Sequence, residues 1–185
     1  RTITLTEPWP AGNRAPLGAA GRQMLVRRSQ DVPGSQQTKG PKADHVDFFW
    51  YVPETRAQTP LSSFISVRIY TAVSRGHSPQ MVSIPFTASP QGTTSEGRAL
   101  ITDGQRPEIL EFDRSGQLRR ILRIEGPGRP VTDEMLEDFI DDKANDEAAQ
   151  RYLRDFFAEM PLPDTLPEFQ RIVVDGGGMV WAEVF

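Results

Sequence analysis

Two histidines, His45 and His77, are the chain's whole supply of imidazole, and it contains no cysteine. A zinc site gathers three or four His, Cys or carboxylate ligands on one ion. General-base catalysis needs an imidazole held against the proton that it takes. His45 opens a β-prone run, and His77 sits in the loop-like stretch Arg75-Gly76-His77-Ser78. These positions assemble neither device, so no metal, cofactor or catalytic residue is expected. None of the serines lies in a Gly-x-Ser-x-Gly elbow of the kind that exposes a nucleophile. Asp141 and Asp142 are adjacent carboxylates in a solvated acidic run, not a dry pair whose proton affinities would be driven apart. Gly176-Gly177-Gly178 lacks the following Lys-Ser/Thr of a phosphate loop.

Charge and aromatic residues offer binding chemistry instead. Residues 132–164 hold 3 basic and 11 acidic side chains, a net −8 in a chain whose overall charge is −4. An acidic segment in an otherwise mildly basic chain argues against nucleic-acid binding. Asp133, Glu134, Glu137, Asp138, Asp141 and Asp142 are therefore candidate contacts for a protein partner, with Arg119 and Arg120 as basic counterparts on a strand. Phe48-Phe49-Trp50-Tyr51 could stack on a ligand, but consecutive strand residues point to opposite faces, which assigns at least two of them to a core.

The elements that position these groups are mostly short strands. The 185 residues suit one domain. The 16 prolines and 15 glycines punctuate the chain as a β-rich fold requires. Strands are expected at Thr2–Thr6 and near 15–19, 24–29, 46–52, 64–73, 81–87, 98–102, 108–113 and 118–124. A polar Pro/Gly-rich loop is expected over 30–44. Glu108–Phe112, Asp113-Arg114-Ser115-Gly116 and Leu118–Ile124 read as a hairpin, because Asp bonds the backbone ahead of it and Gly accepts positive φ. Ile172–Asp175, three glycines and Met179–Phe185 repeat that plan, and Leu17–Val26 is a fainter copy. Residues 130–168 break the pattern. Thr132 suits a helix N-cap with acids in the first turn. Met135, Leu136, Phe139 and Ile140 form one apolar stripe. A second helix starts near Asp146, with Ala149, Tyr152, Leu153, Phe156, Phe157 and Met160 on its buried side, and Pro161, Pro163 and Pro167 stop it.

Two stretches, EILEFDRSGQLRRILRI over Glu108–Ile124 and RIVVDGGGMVWAEVF over Arg171–Phe185, resemble blade-opening hairpins of bacterial six-bladed β-propellers related to the NHL-repeat group. The resemblance implies four-stranded antiparallel blades over about 15–73 and about 81–124, a helical insertion at 130–168, and the start of a further blade at 169–185. An ordinary antiparallel sandwich is the alternative. Six blades need about 40–50 residues each, so the chain reads as part of a propeller whose other blades lie elsewhere. Its opening at Arg1 rather than Met points the same way, to a processed or partial chain. The function that follows is a non-catalytic binding or scaffold module, a periplasmic or otherwise extracytoplasmic accessory subunit of a larger complex. A membrane assembly such as a photosynthetic reaction centre is one candidate for that complex. The chain itself lacks an apolar run long enough to cross a bilayer as a helix. The alternative is a propeller lyase or hydrolase whose site needs residues outside this stretch.

Overall fold

The computed structural model describes residues 13–31, 39–72, 80–125 and 128–184. The strand expected at Thr2–Thr6 lies outside them, as does His77. The described chain is mainly β, with three antiparallel sheets and two helices.

The first sheet runs in sequence order through β1 (Asn13–Ala20), β2 (Gln23–Asp31), β3 (Gly40–Val52), β4 (Ala57–Ala72) and β5 (Gln80–Ser83). β3 and β4 are long, and their register slips at Lys42/Ala43 and again at Phe48/Phe49. Each slip leaves one extra residue on β4, Arg68 and Leu61. Such bulges bend a strand and increase its twist, and here they curl the sheet. The second sheet is a meander of β6 (Gln91–Ser95), β7 (Arg98–Thr102), β8 (Glu108–Phe112) and β9 (Leu118–Arg123). β10 (Arg171–Val174) and β11 (Val180–Glu183) form a separate hairpin.

This arrangement corrects the expected blades. Residues 80–83 pair with β4 instead of opening the next sheet, so the first sheet has five strands. The second sheet begins at Gln91, on a strand of Thr, Gly and Ser that carries no hydrophobic signal. Both ends of the loop expected at 30–44 are strand: β2 continues to Asp31 and β3 starts at Gly40. The sheets are layered face to face, not repeated as equal blades.

Alternation explains the layering. Ala99, Ile101 and Phe112 of the second sheet meet Leu25, Val46, Phe48 and Trp50 of the first. Leu100 and Ile109 point the other way, onto Phe169 and Ile172. The indole of Trp50 is fully buried and donates from Nε1 to the Asp113 carbonyl at 2.8 Å, which fixes the first sheet to the β8–β9 turn. A further cluster, Met24, Val26, Phe49 and Tyr51, is buried on the opposite side of β2 and β3.

The helices α1 (Asp133–Lys143) and α2 (Glu147–Ala158) form where the caps indicate. Thr132 Oγ1 accepts from Met135 N, and Asp146 Oδ1 accepts from Ala149 N. Ile140 of α1, Phe157 of α2 and Met160 just after α2 pack with Tyr70 and Ile84 at the β4–β5 end. Tyr152, expected in that stripe, instead stands 55% exposed and stacks on Phe156.

Two glycines set the approach of the first two sheets. A Cβ at Gly92 would lie 3.0 Å from Phe48 and 3.2 Å from Leu17 and Leu25. One at Gly18 would lie 2.3 Å from Thr94 Oγ1. Overpacking of this kind costs about 1–3 kcal/mol. Gly18→Val should therefore lower unfolding free energy by about that amount in urea titration. A change below about 0.5 kcal/mol would mean that the β1–β6 seam is loose.

Candidate functional site

The residues singled out for their charge fall into two groups. On the second sheet, the arginines are exposed and ion-paired. Arg120 Nε reaches Glu111 Oε2 at 2.7 Å, Arg98 Nη1 reaches Glu111 Oε1 at 2.9 Å, and the carboxylate between them is buried. Arg119 Nε bonds Asp113 Oδ2 at 2.7 Å, and Arg123 Nε bonds Glu108 Oε1 at 2.8 Å. On the helices, Glu137 pairs with Arg154 at 2.7 Å, Asp141 lies 4.0 Å from the same guanidinium, and Asp142 pairs with Lys143 at 2.8 Å. Asp133, Glu134 and Asp138 are exposed and make no ion pair among the described residues. The Arg154 guanidinium holds the Glu137 carboxyl below its ordinary range, and Lys143 does the same for Asp142. His45 is an exposed residue of β3 opposite Gln30 and Ile65.

The two Asp-x-x-Gly turns are built alike. Asp113 Oδ1 accepts from Ser115 N at 2.8 Å and Gln117 N at 3.0 Å, and Gly116 N returns to the Asp113 carbonyl. Asp175 Oδ1 accepts from Gly177 N and Met179 N, both at 2.9 Å, and Gly178 N returns to its carbonyl. Gly116 and Gly178 take positive φ, 86° and 81°. Trp181 Nε1 donates to Asp175 Oδ2 at 3.0 Å, in the place that Arg119 holds at Asp113. The fainter copy differs: β1 and β2 are joined by the two-residue reversal Gly21-Arg22, without an aspartate. These turns shape hairpins and gather no reactive set.

The arrangement with binding potential is one that charge and motif reading passed over. A cleft of about 430 Å³ opens between β3, β4, the segment after β5, the turn after β7 and the stretch after α2. Its walls are largely apolar: Ile65 and Val67 from β4, Ile84 and Ala88, and the prolines 41, 90, 161 and 163. Ile65 and Val67 are 67% and 41% exposed there. The one carboxylate on the wall, Asp103, is already engaged. Its Oδ1 accepts from Gln105 N and Arg106 N, and its Oδ2 meets the Arg106 guanidinium at 3.2 Å. Buried Ser66, also on the wall, accepts from Arg68 Nε at 3.1 Å. Ser66 pairs in register with Asp44 of β3, Lys42 of the same strand is buried, and Arg27 of β2 is half-buried. Burial pushes the Arg27 guanidinium below its ordinary range, and Arg68 adds to the effect, while Asp44 opposes it. A size in the roughly 300–1,000 Å³ range and a mainly apolar lining with few polar groups are the marks of small-molecule sites. Sequence periodicity could not assemble this cleft, because its walls come from five separate segments.

Comparison of the chain with protein-family models, with curated proteins and with solved structures finds no match. The resemblance to six-bladed propellers of the NHL-repeat group is thereby corrected. No family model supports it, and the strands it relied on form a curled five-stranded sheet, a meander and a lone hairpin. What those two stretches share is turn chemistry. Among the described residues, no helix is long and apolar enough to cross a membrane.

The Asp113 turn yields a pH prediction. The Ser115 hydroxyl, the Gln117 and Ser115 N–H groups and Arg119 hold its carboxyl down at about 2, from 3.8. A depressed carboxyl stabilises the fold above its unfolded value and loses that contribution as pH falls through its folded one. Wild type and Asp113→Asn should therefore differ in stability near neutrality and converge between about pH 4 and pH 2. Parallel denaturation curves at stepped pH check this; a constant difference across that window would contradict it.

Proposed function

We propose that this chain is a non-catalytic binding protein whose site is the cleft beside β4. One observation carries the reading. Ile65 and Val67 leave apolar surface in water inside a cleft sized for a small molecule. Covering such surface yields about 25 cal/mol per Å² of apolar area removed from water. The polar groups around it are few and fixed: Asp103 is locked in its turn, and Ser66 is held by Arg68. That pattern suits holding a molecule, with rigid polar points to orient it.

A second reading is favoured by the outer face of the helices. Exposed Tyr152 stands 55% in solvent on α2, and Asp133, Glu134 and Asp138 are exposed on α1. An exposed aromatic side chain and exposed acids on the helix pair suit a basic protein partner. The chain would then act as an accessory subunit of a larger assembly.

The neutral, environment-sensitive dye Nile red tests the first reading. The purified chain should bind it with a blue-shifted emission. Ile65→Glu should weaken binding by about tenfold or more, since a charge would have to be buried with the dye. Ile65 is largely exposed, so the melting temperature should stay within about 2 °C. Absence of dye binding, or equal binding by the variant, would remove the cleft as the site.

A further inference from the structure

The second sheet ends on β9, and among the described residues no strand lies beyond it. Just past β9, Ile124 N donates to the Pro107 carbonyl at 3.0 Å. Alternation along an antiparallel pair then turns the backbone N–H and C=O of Ile121 and Arg123 away from β8, to the open edge. Leu118, Ile121 and Ile124 are exposed along this stretch. So are Arg119, Arg120 and Arg123, whose side chains stay more than half exposed although each meets an acid of β8 or of its turn. All three make that hydrogen bond through Nε, and a guanidinium has five N–H donors. Their Nη groups can therefore take a second carboxylate without releasing the first.

β8 displays the kind of strand that fits. Its Glu108-Ile109-Leu110-Glu111 stands opposite Arg123, Leu122, Ile121 and Arg120 in turn, so β9 already accepts an acid–apolar–apolar–acid strand along its inner side. Across the sheet, Arg98, Glu111 and Arg120 of β7, β8 and β9 alternate in charge, and the series ends positive at the open edge. We infer that β9 is a strand-addition site for an extended peptide of that same pattern, with acids opposite Arg120 and Arg123 and apolar residues opposite Ile121 and Leu122. Main-chain hydrogen bonds to Ile121 and Arg123 hold the peptide, and opposite charges across the pair select it. Charged residues on an edge strand ordinarily discourage pairing. Arginines do so against a basic strand and admit an acidic one, which makes the same residues a filter. No residue of β9 lines the cleft, so this site and the cleft stand or fall separately.

A fluorescein-labelled peptide, Thr-Thr-Glu-Ile-Leu-Glu-Thr-Thr, tests this by anisotropy on the full chain. It should bind saturably, and the analogue with Lys in place of both Glu should bind about tenfold or more weakly. An analogue N-methylated at its four central residues has lost the donors that face the edge and should not bind. Ile121→Pro removes an outward N–H and no bond to β8, a substitution that an edge strand tolerates, and it should abolish binding of the acidic peptide. Arg120→Gln combined with Arg123→Gln should weaken that peptide by about fivefold or more, and it keeps the test readable if the proline variant does not fold. Equal binding of the N-methylated peptide overturns strand addition. Equal binding of the Lys analogue overturns selection by the arginines. Absence of binding by the acidic peptide overturns the inference as a whole.

Discussion

β7 is buried on both of its faces, and the layered order follows from that. Ala99, Leu100, Ile101 and Thr102 are each 0–2% exposed. A strand that is apolar on alternate sides needs a cover on each side. The curled first sheet supplies one cover through Leu25, Val46, Phe48 and Trp50. Phe169 and the β10–β11 hairpin supply the other. The hairpin is held at its edge by Gln91, whose side chain accepts from Ile172 N at 3.1 Å and donates to the Gln170 carbonyl. Two strands alone are marginal in water, so this hairpin owes its place to the sheet it covers.

The first sheet must curl to make that cover, and the curl has its own requirements. Bulges at Arg68 and Leu61 bend β4. The glycines at 18 and 92 allow β1 and β6 to meet closely. Trp50 then fastens the sheet to the Asp113 turn. The helices close the far end, where Tyr70 and Phe156 meet edge to face with centroids 6.0 Å apart. Lys39, just before β3, also pairs with Glu159 at the C-cap of α2. Binding potential collects at this junction because several elements end there, and their ends do not fill the space.

Local structure was largely legible in the sequence. The β8–β9 and β10–β11 hairpins follow from Asp-x-x-Gly, whose hydrogen bonds involve only neighbouring residues. Both helices follow from their caps, Thr132 and Asp146, and from apolar spacing. What failed was assembly. A shared turn does not make a shared blade: at Asp113 and Asp175 the same five-residue bonding scheme serves hairpins in two different sheets. β6 escaped notice because Gln91-Gly92-Thr93-Thr94-Ser95 has no large apolar residue; its burial comes from side chains that other strands bring to Gly92. The pairing of residues 80–83 with β4 is equally invisible, since a four-residue apolar run does not state its neighbour. Arg119 and Arg120 stay exposed, and register sets Arg120 across from Glu111, a pairing that spacing alone does not state.

The cleft has no owner among the local elements. Pro41, Val67, Pro90, Asp103 and Pro163 reach it from stretches that are far apart in the chain, and no hairpin or helix pair contains the site on its own. Its shape therefore exists only while those stretches stay packed together. A molecule that filled it would favour the native chain over forms in which those stretches part. By mass action, a ligand at about a hundred times its dissociation constant adds about 2.7 kcal/mol to native stability. For a domain of this kind that is a large fraction of the usual margin of about 5–15 kcal/mol, and the occupant would act as a keystone for layers that otherwise meet only through their own side chains.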